Sequence, residues 1–138
     1  MQESEDFINL NDYILGTLDI DHFKAVNDTY GHEVGDQVLK MTAKTMRNAF
    51  RKNDFLGRWG GEEFLIVCPD TSLDHARVLA ERIRLGINQH GFATGARHSA
   101  SFGVAQWQEA ETVDALLARA DAALYRAKDL GRDRVEAA

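Results

Sequence analysis

The apolar and polar positions of this chain fall into blocks whose periods assign most of its elements. Ile14-Leu15-Gly16-Thr17-Leu18-Asp19-Ile20 is a short apolar run of strand length that closes on an aspartate. Asp21 then leads into His22 to Asp28, which reads as a short helix capped by Asp21. Gly31 and Gly35 mark a loop or helix break around His32. From Asp36 to Phe50, the residues Val38, Thr42, Thr45, Met46 and Ala49 recur at helical spacing and predict an amphipathic helix. Asp54–Trp59 and Phe64–Cys68 read as strands. The Gly60-Gly61 pair between them predicts a two-residue hairpin, because both central residues of a type I′ turn need φ > 0.

Pro69-Asp70-Thr71-Ser72 closes that hairpin and supplies an N-cap for a helix from Leu73 to Gln89, with Ala76, Leu79, Ala80, Ile83 and Ile87 facing inward. A glycine-containing connection, Gly91 to Arg97, precedes a strand over Ser99–Ala105, where Gly103 signals a bulge or close backbone approach. Thr112 caps a last helix, with Leu116, Leu117, Ala120, Leu124 and Ala127 inward and Gly131 as its stop. Arg134–Ala137 adds a short edge strand. The order βααββαβα(β) predicts an α+β fold, an α/β sandwich with helices packed on one mostly antiparallel sheet.

At 138 residues the chain is of single-domain length, enough to bury roughly two thirds of its unfolded surface. A net charge of -6 argues against nucleic acid or an anionic membrane as main partner. Cys68 is the single cysteine and sits in an apolar run, so it reads as a small core residue in a reduced, cytoplasmic setting. No apolar run approaches membrane-spanning length, and the first thirteen residues are too acidic for a signal peptide.

The chemistry gathers at two places. Asp19 ends the first strand, and Glu62 and Glu63 stand at the shoulder of the glycine pair. If those strands are neighbours, the carboxylates converge as hard oxygen ligands suited to Mg²⁺, with substrate phosphates completing its octahedron. A solvated acidic hairpin is the competing reading of these residues. No Gly-x-x-x-x-Gly-Lys is present, so a short helix start after Asp21 is the alternative phosphate cradle. Lys24, Lys128 and Arg132 are cations that could face the same phosphates.

Asp19-Ile20-Asp21-His22-Phe23-Lys24, Asn27-Asp28, Gly31-His32, Gly35-Asp36, Arg58-Trp59-Gly60-Gly61-Glu62-Glu63-Phe64, Ser101-Phe102-Gly103, Ala120-Asp121-Ala122-Ala123-Leu124-Tyr125-Arg126-Ala127-Lys128 and Gly131-Arg132 stand in this order. The series resembles a GGDEF domain of the diguanylate cyclase family, in its Glu-for-Asp variant, from about Leu15 to Val135. The resemblance implies a fold similar to the nucleotidyl cyclase and polymerase palm. It also implies a reaction in which two GTP molecules, one on each of two facing domains, condense to cyclic di-GMP and two pyrophosphates.

In that scheme Asp19, Glu62 and the Ile20 carbonyl hold Mg²⁺, for which Mn²⁺ can substitute. Glu62 is the general base, and Glu63 is a further ligand or an acid behind the ligands. Asn27 and Asp36 match the guanine readers, and Phe23 and Lys24 bring backbone N–H groups to the β- and γ-phosphates. Lys128 and Arg132 reach the γ-phosphate, and His32, Gly60 and Gly61 complete the nucleotide site. Arg51-Lys52-Asn53-Asp54 resembles the family's Arg-x-x-Asp product-inhibition site, with Arg58 close enough to join it. The implied partners are GTP, cyclic di-GMP and a second copy of the chain.

The family's Asp-x-Leu-Thr-x-Leu-x-Asn-Arg-Arg segment has no counterpart in residues 1–13, which read as a linker remnant or frayed terminus before a catalytic domain over 14–138. Two other readings compete. One is a catalytically weak or idle module that binds cyclic di-GMP or GTP as a receptor; the other is a cyclase acting on ATP.

Overall fold

A strand as apolar as the first needs cover on both faces, and β1 (Ile14–Ile20) is buried at every position. It lies at the centre of a five-stranded sheet. The structure is a computed structural model that describes residues 13–58, 61–89, 95 and 97–138. After β1 come α1 (Phe23–Tyr30), α2 (His32–Ala49), β2 (Phe55–Arg58), β3 (Glu63–Cys68), α3 (Leu73–Gln89), β4 (Ala100–Gln106), α4 (Val113–Asp129) and β5 (Val135–Ala137). The strand order is β2-β3-β1-β4-β5, and among the described residues every pairing is antiparallel except β4 with β5, which makes the sheet mixed.

Alternation along β1 splits the core in two. Ile14, Leu18 and Ile20 join Phe64, Ile66, Phe102 and Val104 in a cluster with residues of α1, α2 and α3. Leu15 packs on the opposite face with Ala105 and with Leu116 and Ala120 of α4. Gly103 explains how α4 sits so close to the sheet. A Cβ there would stand 2.1 Å from the Ala120 carbonyl oxygen and 2.3 Å from the Leu124 nitrogen, both backbone atoms of α4. The expected close approach is therefore real. Thr112 caps α4 as its sequence predicts, accepting from the Ala115 N–H at 3.1 Å, and Ser72 accepts from the His75 N–H at 3.2 Å at the start of α3.

Three local expectations are corrected. Gly35 does not break a helix: α2 starts at His32 and runs through it. A Cβ at Gly35 would lie 1.8 Å from Asn27 Oδ1, so the glycine lets α2 pass close over α1. Asp21 does not cap α1; His22 occupies the cap position in the left-handed region (φ 57) and makes no side-chain cap bond. The expected type I′ turn needs a positive φ at Gly61, and Gly61 takes none. Gly60 and Trp59, like most of the Gly91–Arg97 connection and all of residues 1–12, lie outside the described residues.

Candidate active site

Asp19 is the penultimate residue of β1, and the β1–β3 register sets it directly opposite Glu63. Cross-strand partners of this kind hold their Cβ atoms about 5 Å apart on one face. That face is the one covered by α4, because Asp19 shares the side of β1 that carries Leu15. Lys128, near the end of α4, reaches back and forms an ion pair with Asp19 Oδ2. Strand pairing and helix placement thus bring together two acids and one cation that the sequence holds far apart.

The electrostatics show carboxylates held against their preference. Asp19 is 7% exposed. Burial pushes its carboxyl above the ordinary carboxylate value, Lys128 pulls it partly back, and Glu62 and Asp21 push it up again. Glu63 is also raised, first by burial and then by Asp19 and Asp121. Asp19 Oδ1 is buried with no hydrogen-bond partner. A buried acceptor left unpaired is costly, and a cation would satisfy it. The donor set of hard oxygens fits a small divalent ion. Among the described residues, no three His, Cys, Asp or Glu side chains already converge tightly enough to cage one; Lys128 supplies the positive charge instead.

The other expected nucleotide residues lie on α1, on α2, in the turn before β3 and just beyond α4. Ile20 is buried at the end of β1, and Phe23 is buried at the start of α1 beside exposed Lys24. No side chain caps that first turn of α1. Asn27 on α1 lies against Gly35, the residue before Asp36 on α2. His32 is exposed at the first position of α2, and Glu62 and Gly61 lie in the turn before β3. Arg132 sits just beyond α4 with φ 64.

A second cavity, of about 300 Å³, is lined by Arg51, Asp54, Thr71, His75 and Arg82. Asp54 accepts from the Arg51 N–H at 2.8 Å, and the Arg51 guanidinium donates to the Pro69 carbonyl at 3.0 Å and to Thr71 Oγ1. The Asp54 side chain is fully buried yet leaves Oδ1 without a hydrogen-bond partner. Behind it, burial first and Asp54 second push the Cys68 thiol up to about 12, consistent with the inert core cysteine expected. Arg58 does not join this cavity. It bonds the Gly61 carbonyl, stacks 5.6 Å from the Phe64 ring centroid and lines a separate cleft with Lys40 and Arg47.

Sequence reasoning missed several of these residues. His75 and Arg82 follow one another at i, i+7 along α3, a helical stripe adjacent to the apolar one that carried the helix assignment. Asp121 raises Glu63 from α4 and has its own buried, unbonded Oδ1; it lay inside a quoted motif without being singled out. Asp21 accepts from Ser99 and Ser101 hydroxyls at 2.6 Å each, and no spacing rule announces such a bond.

Comparison with known proteins agrees with this arrangement. The family model described as "Diguanylate cyclase, GGDEF domain" matches residues 5–134. Diguanylate cyclase DgcM of Escherichia coli K12 is 47% identical over 127 residues, covering 92% of this chain but 31% of that protein. The chain thus spans about a third of that relative's length. Among solved structures, the active GGEEF domain of a diguanylate cyclase from Vibrio cholerae matches with a TM-score of 0.88 at 36% identity, covering 92% of this chain and 83% of that one. The GGDEF domain of DgcB from Caulobacter crescentus, solved with c-di-GMP, matches with a TM-score of 0.86 at 35% identity over 91% of this chain and 77% of its own. Sheet order, paired acids and these likenesses agree, and the chain belongs to the GGDEF family of diguanylate cyclase domains, in the Gly-Gly-Glu-Glu-Phe form.

Proposed function

We propose that this domain condenses two GTP molecules into cyclic di-GMP, one nucleotide on each of two facing copies. The observation that carries the reading is the Asp19–Glu63 cross-strand pair, Asp19 buried and Glu63 half-buried, both raised in pKa, with one Asp19 oxygen left unbonded. Asp19, Glu62 and the Ile20 carbonyl would hold Mg²⁺, with Mn²⁺ as substitute and Glu63 beside them. Bound there with the phosphates, the ion would neutralise developing charge and acidify the attacking hydroxyl.

The chain's own groups do the rest. Glu62 accepts the 3′-hydroxyl proton as that oxygen attacks the α-phosphorus of the opposite GTP and pyrophosphate leaves. The uncapped first turn of α1 offers the Phe23 and Lys24 N–H groups to the β- and γ-phosphates. Lys128 exchanges its Asp19 partner for the γ-phosphate, where Arg132 joins it. Asn27 and Asp36, with His32 nearby, read the guanine edge; adenine offers no matching pair of donors, and an acceptor left unpaired costs about 1–3 kcal/mol. Gly60 and Gly61 keep the hairpin free of side chains where the nucleotide passes. The cavity holding Arg51, Asp54 and Arg82 is the proposed inhibitory site for cyclic di-GMP, since Arg can pair with guanine O6 and N7 in a fork.

GTP incubated with Mg²⁺ and concentrated protein should give cyclic di-GMP by chromatography, at a rate rising faster than linearly with protein concentration and lost in Glu62→Gln. Product formation strictly proportional to protein, or undiminished in Glu62→Gln, contradicts the mechanism. The Lys128–Asp19 pair favours a second reading, an idle receptor in which lysine stands where the cation belongs. Calorimetric binding of cyclic di-GMP that Arg51→Ala abolishes, together with no product from GTP, would establish that reading instead.

A further inference from the structure

The segment joining α4 to β5 is strained and unusually well tied. Arg132 and Asp133 are consecutive non-glycine residues in the left-handed region, at φ 64 and 49. Side chains avoid that region, and such outliers persist only where their surroundings over-determine them. Here the surroundings do so from two sides.

From inside, the Asp133 N–H donates to Asp21 Oδ2 at 3.0 Å. Asp21 is 6% exposed and is itself fixed by Ser99 donating to Oδ2 and Ser101 to Oδ1, each at 2.6 Å. Its carboxylate therefore joins the end of β1, the start of β4 and this loop. From outside, Arg84 of α3 donates to Asp133 Oδ1 at 2.8 Å, and Asn88 donates to the same oxygen at 3.1 Å. Arg84 is held in turn by Glu81, its Nε donating to Oε2 at 2.9 Å. The Arg132 N–H closes onto the Ala127 carbonyl at 2.9 Å. Both ties grip Asp133, and through the peptide bond they fix its neighbour Arg132, whose own N–H is held by Ala127.

We propose that Asp21 and Arg84 are positioning residues that hold the Arg132 backbone in its left-handed conformation and so aim its guanidinium at the terminal phosphate of the nucleotide. The inference rests on the reading that Arg132 meets the γ-phosphate. Neither residue need touch substrate: Asp21 spends its carboxylate on serine hydroxyls and one N–H, and Arg84 spends its guanidinium on Glu81 and Asp133. A long cation on an untethered loop would lose the pre-organisation that makes a phosphate contact discriminating.

The test is calorimetric binding of GTP, GDP and GMP, each in its unreactive 3′-deoxy form, with Mg²⁺ to the wild-type chain and to Arg132→Ala, Asp21→Ala, Asp21→Asn and Arg84→Ala. The wild type should prefer GTP over GDP. Asp21→Ala and Arg84→Ala should cut that preference by a factor of about five to ten, a loss near 1–1.4 kcal/mol, approaching Arg132→Ala while leaving GMP affinity unchanged. Asp21→Asn keeps one acceptor oxygen for the Asp133 N–H and should retain most of the preference. Arg84→Ala removes a tie outside the core, so it remains informative if Asp21→Ala does not fold. Wild-type preference persisting in Arg84→Ala and Asp21→Ala, or equal losses for GTP, GDP and GMP, overturns the inference. No GTP preference in the wild type, or none lost in Arg132→Ala, refutes instead the reading on which it rests.

Discussion

Asp19 shows at residue scale how a functional group is told from a structural one. Burial raises its pKa despite Lys128, and Oδ1 stays unbonded, so the metal-free fold is strained by this charge rather than held by it. Asp19→Asn should therefore lower turnover at least about 100-fold while leaving the melting temperature of the metal-free protein unchanged or higher. Parallel rate and thermal unfolding measurements check this, and a marked fall in melting temperature would make Asp19 structural. His98 runs the other way. Burial lowers its pKa from the ordinary 6.5, so the unfolded chain takes up the proton more readily than the folded one. Its share of stability is complete above the ordinary value and is lost as pH falls through it toward the depressed one, at up to about 1.4 kcal/mol per pH unit. Urea unfolding from about pH 7.5 to 5 should show a shallower decline in His98→Gln than in the wild type. Asp19, Glu62 and Glu63 were legible because acids at a strand end and a glycine turn stand out. Asp21 and Arg82 were not, because what defines them is a partner: Ser101 across the sheet for one, Arg51 across a cavity for the other.

At the scale of elements, periodicity fixed the helices and strands but misjudged the glycines that bring them together. Apolar spacing in α3 and α4 gave their buried faces almost residue by residue. Gly35 reads as punctuation, since a helix pattern in isolation gives no sign that a side-chain oxygen from another helix would stand 1.8 Å from an added Cβ. The two close-approach glycines should now behave differently. At Gly35 the main obstacle is the tip of the Asn27 side chain, which can swing aside, with the Phe23 ring next at 3.3 Å. Gly35→Ala should change stability by less than about 1 kcal/mol, since alanine is the better helix former, yet weaken GTP binding by displacing Asn27, the proposed base reader. At Gly103 the obstacles are backbone atoms of α4, which cannot swing. Gly103→Ala should cost about 2–3 kcal/mol or more and depress stability and activity together. Denaturant unfolding and GTP titration of both variants separate the cases; equal effects would mean that the distinction between side-chain and backbone obstacles does not operate here.

For the whole molecule, the sheet order accounts for where the chemistry lies. Placing β1 between β3 and β4 sets Asp19 opposite Glu63 and beneath the end of α4, so one corner collects acids, Lys128 and the tied Arg132 loop. A net charge of -6 would repel a nucleotide unless such local cations and a bound metal offset it. The central claim is that Asp19 and the acids beyond the glycine pair serve one cation on the phosphates. Its most direct test is Mn²⁺ affinity, followed by electron paramagnetic resonance with 3′-deoxy-GTP, which lacks the attacking hydroxyl. The wild type, Asp19→Asn, Glu62→Gln and the double variant would be compared. A shared ion predicts that each single change weakens Mn²⁺ binding at least about tenfold and that the double falls well short of the product of the two, as for groups in one network. Independent, multiplicative losses, or no loss in Asp19→Asn, would contradict it.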